Sequence, residues 1–306
     1  MSGLAVLCPG QGGQRAGMAD LAAATAAGAD VLRRASAAAG RDLAALARAG
    51  GPETFRNAVA QPLLCAVELA TWAALRDALP PPRVLAGYSL GELAAYACAG
   101  ALGPQDVAAL AARRAALMDG AAAGRPGGLV ALRGLALAQA EALARGAGAA
   151  VAIVNGPDHC VVGGPEDALR ALADTAARAG AKAQRLFVDV PAHTPALAAA
   201  VGPFAEALSA SALRDPDVPV LAGVSGEPVR DRAGAVSALS RQLAGRVEWA
   251  RCLVAAAELG CTVFLELGPG SALTRMVAEA LPEAAARSVE DFRTVDGVRR
   301  WVASRL

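Results

Sequence analysis

The sequence is short of aromatic residues, 3% of its 306 positions, and nearly without charge excess, with Lys+Arg 29 against Asp+Glu 28. No basic cluster is interleaved with aromatics, so the electrostatic and stacking footprint of a nucleic-acid partner is missing. There are 2 histidines and 6 cysteines in all, and no two cysteines stand in a C-x-x-C pair. The usual zinc and redox motifs are therefore excluded. Several of the cysteines (Cys8, Cys65, Cys98, Cys160, Cys252, Cys261) fall inside apolar runs and read as buried free thiols rather than metal ligands or disulfides. No positive segment precedes the first apolar residues in "MSGLAVLCPGQGGQ", and that run is too short for a signal-peptide core. Longer stretches such as "LLCAVELATWAALRDAL" are read as broken by charge well short of a membrane span. A cytoplasmic protein is expected, with neither a membrane nor a nucleic acid as partner.

What the sequence does have is 55% hydrophobic residues, enough for a sizeable interior. Short apolar runs alternate with alanine-rich helical patterns. "LAVLCPG", "PRVLAGYS", "VPVLAGV" and "CTVFLELGPG" read as strands with helices between or after them, an α/β arrangement with a largely parallel sheet. Between about Gly120 and Val190 the pattern becomes strand, helix, strand, strand, helix, strand, which is a ferredoxin-like unit inserted in the larger one. The small-residue segment "DGAAAGRPGG" is a plausible hinge into it. The domains are thus expected at 1–122 with 191–306, and at 123–190.

Ser89 lies in "GYSLG", between an apolar run and a helix-like one. In that context G-x-S-x-G is a strand-to-helix turn whose glycines clear space around the serine and whose helix N-terminus points amides at it. The alternative is a small residue in a tight turn. A nucleophilic serine needs a base. His159 sits in a short turn between two apolar runs and reads as a turn residue, whereas His193, in "VPAHTPAL", follows a strand and enters a loop, where α/β proteins place catalytic groups. The carboxylate of a triad is not identified: Asp106, Asp119 and Asp189 all precede His193, and none carries a signature.

At 100° per residue, Arg114 falls near the centre of the apolar arc formed by Val107, Leu110, Ala111, Leu117 and Met118, while Arg113 lies off its edge. An inward guanidinium needs an anion. That anion is either a structural carboxylate such as Glu92 or Glu68, or the carboxylate of a substrate. The loop "CPGQGGQ" has Arg15 where a dinucleotide fingerprint needs glycine. It can instead lend an N–H to an oxyanion hole, as the Leu90 amide after the nucleophile also would. "LELGPGSALTRM" is a strand, turn and helix, read as a tight connection or a ligand contact.

Taken together, "PGQGGQ", "GYSLGELAAYACAGAL", "RAALM", "VNGPDHCVVGG", "VPAHTPAL", "QLAGRVEW" and "LELGPGSALTRM" resemble, in order and spacing, the malonyl-CoA:acyl carrier protein acyltransferases over nearly the whole chain. The resemblance implies an α/β-hydrolase-like large domain and a ferredoxin-like small one. It also implies Ser89 as acyl-accepting nucleophile, His193 as base, Arg114 as ligand of the malonyl carboxylate, Gln11 in the oxyanion loop, and Gln242 as the residue whose backbone carbonyl orients the histidine. Malonyl-CoA would be a substrate, with no metal and no permanently bound cofactor, and the partner an acyl carrier protein bearing a thiol prosthetic group. Two positions depart from the family: Tyr88 stands where histidine is usual, and Ala192 where serine or phenylalanine is commoner. The tyrosine elbow, "IVNGPDH", "HTPAL" and the closing "ARSVEDFRTVDGVRRWVASRL" look like the acyltransferase (epsilon) subunit of bacterial malonate decarboxylase. The stand-alone malonyltransferase of fatty acid or polyketide synthesis is the alternative. A serine esterase or thioesterase shares the elbow but gives no reason for an inward arginine, and a non-catalytic scaffold gives no reason for both Ser89 and His193.

Overall fold

In the computed structural model, which describes residues 2–306, every position of β1 (Gly3–Cys8) is buried. That is why its sequence is apolar throughout instead of alternating: a parallel strand covered on both faces has no solvent side. β2 (Val84–Gly87) runs parallel beside it, pairing Cys8 with Gly87. The chain then leaves this sheet to build β3 (Gly127–Arg133), β4 (Ala150–Gly156), β5 (His159–Pro165) and β6 (Lys182–Arg185). It returns with β7 (Val220–Leu221), β8 (Pro228–Val229), β9 (Cys261–Glu266) and β10 (Ala285–Ser288). The first sheet has the order β10-β9-β1-β2-β7-β8 and is parallel except for the β7–β8 edge pair.

The second sheet, β4-β5-β3-β6, is antiparallel throughout. Helix Leu137–Ala147 connects β3 to β4 and helix Glu166–Arg178 connects β5 to β6, so the strand, helix, strand, strand, helix, strand order expected from the sequence is present. Period-two alternation splits its side chains between two cores. Val130, Leu132, Cys160 and Val162 face the sheet's own helices at Ala140, Ala144, Leu169 and Leu172. Leu129, Val161 and Ile153 pack into the core of the large sheet. Backbone bonds from Val154 N to Val247 O (2.8 Å) and from Val247 N to Ala152 O (2.9 Å) tie β4 to the loop after Gln242.

Three expectations are corrected. The strand read in "VPVLAGV" is only Val220–Leu221, and β8 and β10 were not foreseen. Elements of two to four residues have no periodicity to read. The apolar stretch around Leu63–Leu79 is not too short to span a bilayer. The helical run Asn57–Ala78, 22 residues, is long and apolar enough by length and composition, because Glu68 is its only charge over that apolar window. Most of that window is buried inside the fold, as befits a central core helix. All six cysteines are buried and unbridged.

Candidate active site

The site begins at the C-terminal end of β2. Ser89 has φ 56° and ψ −114°, left-handed for a non-glycine residue, and the elbow helix Leu90–Cys98 starts immediately after it. The flanking glycines are required by close approach: a Cβ on Gly87 would lie 2.1 Å from Gly91 O, and one on Gly91 would lie 2.0 Å from Cys8 O. The turn therefore presents the serine side chain at the sheet's carboxyl edge, in a conformation that costs on the order of 1–3 kcal/mol and persists only when the surroundings enforce it.

Ser89 Oγ lies 2.6 Å from His193 Nε2, and His193 Nδ1 lies 2.6 Å from the main-chain oxygen of Gln242. A carbonyl oxygen only accepts, so Nδ1 carries the ring proton and Nε2 is left as the acceptor for the serine hydroxyl. His193 is itself held at φ 62°, with its backbone N–H on Leu243 O at 2.9 Å. Among the described residues no carboxylate touches the ring. Asp189 is exposed and paired with Arg185, while Asp119 accepts from Asn57 Nδ2 at 2.7 Å. Burial, and then the nearby positive charge of Arg114, push the imidazole down to about 3 against the opposing pull of the Gln242 carbonyl. The ring is neutral at pH 7 and free to take a proton. His159 stands elsewhere, as the half-buried first residue of β5, with Arg133 Nη2 at 3.1 Å and Asn155 Nδ2 at 3.3 Å.

Arg114 projects inward from the Pro104–Ala122 helix, as the helical arc predicts, and is 2% exposed. Its partners are neutral. Nη1 donates to Gln61 Oε1 (3.0 Å) and contacts Met118 Sδ (3.3 Å), and Nη2 donates to Gln242 Oε1 (3.0 Å). Among the described residues neither Glu68 nor Glu92 forms an ion pair with it. Burial lowers Arg114 to about 10, which leaves it charged at neutral pH. Glu92 Oε2 instead accepts from Gly223 N (2.9 Å) and Gln242 Nε2 (2.5 Å), and Gln242 Nε2 also donates to Ser89 O (3.0 Å). Gln242 thus supplies both of its ends: its carbonyl to His193, its side chain to Arg114 and the elbow.

The loop after β1 lies against this turn, with Tyr88 N bonded to Cys8 O at 2.9 Å. Leu90 is the first residue of the elbow helix, so its N–H has no acceptor within the helix. Gln11 is half-buried and sends Nε2 to Asn57 Oδ1 (3.3 Å), which also accepts from Gln61 Nε2 (2.7 Å). Gln11 and Asn57, with Phe55 and Val190, line a cleft of about 220 Å³. Neither this cleft nor the larger hollows of about 500 Å³, such as the one between Met18 and Val295, include Ser89 or His193 in their lining. The "LELGPG" turn backs the loop after β1, because a Cβ on Gly13 would fall 2.3 Å from Pro269 O.

All the residues proposed from the sequence, Ser89, His193, Gln11, Leu90, Arg114 and Gln242, come together through these contacts. Sequence reasoning missed Gln61, Asn57 and the part played by Glu92. Gln61 left a usable sign, an amide in the otherwise apolar "AVAQPLLCAV", fully buried in the helix that faces Arg114.

An arrangement of neutral imidazole, strained serine and free amides suits acyl transfer. Comparison with known proteins agrees. A malonyl CoA-acyl carrier protein transacylase of Mycobacterium tuberculosis is 34% identical over 297 residues, covering 96% of this chain and 98% of that one. The solved malonyl CoA-acyl carrier protein transacylase of Coxiella burnetii superposes with a TM-score of 0.93 at 28% identity, over 99% of this chain and 98% of that one. A malonyl-transacylase solved in complex with its type II PKS acyl-carrier protein gives a TM-score of 0.91 at 29% identity, over 98% and 99%. The model of the acyl transferase domain matches residues 6–300, and the chain belongs to that family of acyltransferases.

Proposed function

We propose that this protein moves a malonyl group from malonyl-CoA to the prosthetic-group thiol of an acyl carrier protein, through an ester on Ser89. The observation that carries this reading is the buried, charged Arg114, which has only neutral partners and is joined through Gln242 to the Ser89–His193 pair. Burying a guanidinium costs several kcal/mol unless an anion meets it. A dicarboxylic thioester brings that anion, and a monocarboxylic one does not. The names of the relatives point to the same donor and acceptor.

In the first half-reaction His193 Nε2 takes the Ser89 proton as Oγ attacks the thioester carbon. The amides of Gln11 and Leu90 receive the developing oxyanion, each such donor typically contributing about 2.7–4 kcal/mol. The thiolate of CoA leaves with the proton held by His193. The carrier thiol then attacks the malonyl-serine ester by the reverse steps, giving ping-pong kinetics. Malonyl-CoA is thus a substrate, and the scheme calls on no permanently bound cofactor or metal. Residues 1–122 and 191–306 form the catalytic unit in this reading, and 123–190 the inserted one.

The relatives' names favour the stand-alone malonyltransferase of fatty acid or polyketide synthesis. The carrier subunit of malonate decarboxylase is the second reading, supported by the closing segment and by Tyr88, whose ring meets Trp249 edge-on at 5.4 Å at a position where histidine is usual. Intact mass spectrometry after mixing with malonyl-CoA tests the chemistry: a malonyl adduct on Ser89 supports transfer, and free malonate without an adduct defeats it. Rates with the two carriers side by side decide the acceptor.

A further inference from the structure

The Gln242 side chain links Arg114 to the elbow, and an amide does so in only one sense. Its oxygen must face the guanidinium, which only donates, and its nitrogen must face an acceptor. Glu92 supplies that acceptor from the first turn of the elbow helix, three residues after Ser89, through Oε2 at 2.5 Å. The same oxygen is itself fixed by Gly223 N at 2.9 Å, in the loop after β7. Turned end for end, the amide would set its NH₂ against Arg114 and its oxygen against the carboxylate. Glu92 is fully buried and, among the described residues, its Oε1 has no hydrogen-bond partner, a costly arrangement for packing alone. Its distance from Arg114, with one amide between them, also matters: a direct ion pair would occupy the guanidinium fork that the incoming carboxylate needs.

We propose that Glu92 is a positioning residue for acyl selection, pinning the Gln242 amide so that Arg114 stays oriented to receive the carboxylate of the acyl group. The inference rests on the malonyl-transfer reading. Glutamine at 92 would keep the shape but lose the charge and one acceptor, leaving Ser89 O at 3.0 Å as the amide's remaining acceptor, so the amide is held more weakly in its one sense.

Single-turnover acylation at pH 8 tests it, since burial raises Glu92 to about 7 and the carboxylate is then ionised. In Glu92→Gln the malonyl-CoA concentration for half-maximal acylation should rise about tenfold or more, the range expected for a lost charge-assisted hydrogen bond. The limiting rate should fall by a smaller factor. Glu92→Asp should be intermediate, and in a Gln242→Ala background the Glu92→Gln change should add less than about twofold, because Glu92 acts through that amide. Should Glu92→Gln not fold, Glu92→Asp carries the same measurement, and failure of both to fold overturns the inference in favour of a structural role. So does a half-saturation point within twofold of wild type, or an equal loss with and without Gln242. A wild-type enzyme that forms no malonyl-serine defeats the transfer reading itself; that result is read before any variant is made.

Discussion

The two halves of the site are built over different distances in the chain. The nucleophile half is local: strand end, two glycines, strained serine and helix start all fall between Gly87 and Gly91. The half around Arg114, which selects the acyl group in the proposed reading, is long-range, since Arg114 meets Gln61, 53 residues earlier, and Gln242, 128 residues later. The first stores its cost as backbone strain, the second as desolvation of a buried cation. Chemistry can thus be set by a short turn, while choice of substrate depends on how distant helices pack.

The largest effect should come from the local half. Ser89→Ala should remove the acyl adduct altogether, with transfer falling on the order of a millionfold, as when a catalytic nucleophile is deleted elsewhere. Its melting curve should stay close to wild type, because alanine tolerates the elbow about as well as serine does. Carrier malonylation above a trace, measured by mass spectrometry, would remove Ser89 from its role and the local half from the comparison.

Arg114→Ala comes next and tests the division directly. Losing one partner of a buried pair costs roughly 3–5 kcal/mol, about two to three and a half orders of magnitude. That loss should appear in kcat/KM for malonyl-CoA relative to acetyl-CoA, which has no carboxylate to lose. Arg114→Lys should recover only part of it, lacking the planar fork. Equal losses for both thioesters, together with a lower melting temperature, would make Arg114 structural and erase the distinction between the halves.

This difference in scale also explains what could be read from the sequence. The elbow, the inward arc around Arg114 and the six-element order of the small sheet were legible because each is a periodicity or a motif within about twenty residues of itself. Of the two histidines, His193 was preferred as the proposed base for its place in a loop after a strand, and it is the one that faces Ser89. The carbonyl of Gln242 came from family resemblance, since a backbone group leaves no trace in side-chain identity. Gln61 left a sign that went unread, and Asn57 and the role of Glu92 left none, because Arg114, Asp119 and Gln242, which these residues meet, lie far from them along the chain. The short strands β8 and β10 escaped for the opposite reason, being too brief to show any pattern, and β7 was read longer than it is.

A third effect is a pH dependence of stability carried by His193. Its ordinary value near 6.5 holds in the unfolded chain, whereas burial keeps the folded ring neutral down to about 3. Above pH 6.5 neither state binds the proton and the group contributes no pH dependence. Below it the unfolded chain gains a proton that the folded one refuses, so stability falls by up to about 1.4 kcal/mol per pH unit. His193→Gln should remove that slope between pH 6.5 and 5, measured by denaturant unfolding against wild type. For the same reason acylation in wild type should show no loss of base with a midpoint near 6.5. Parallel slopes in the two proteins would mean that the ring is not held neutral.

The smallest effect is expected at the other histidine, and it sharpens the comparison because residue type is held constant while location changes. His159 opens β5 in the small sheet, half-buried, and its ring contacts are Arg133 and Asn155. Neither is a partner of Ser89, Arg114 or Gln242. Burial, and then the charge of Arg133, lower its pKa, so it too is neutral at pH 7, and protonation state does not distinguish it from His193. Only geometry does, because His193 alone faces the serine, at 2.6 Å. His159→Ala removes one ordinary and one long hydrogen bond at the end of an inner strand, a loss of about 0.5–1.5 kcal/mol. Arg133 keeps its bond to Glu279 at 2.9 Å, so no charge is left without a partner. The melting temperature should therefore drop by a few degrees at most, and malonyl transfer should stay within about twofold of wild type, whereas His193→Ala should stop acyl-serine formation. If stopped-flow acylation ranked the two histidines the other way, the base would lie in the small sheet, and the contact between His193 and Ser89 would be structural only.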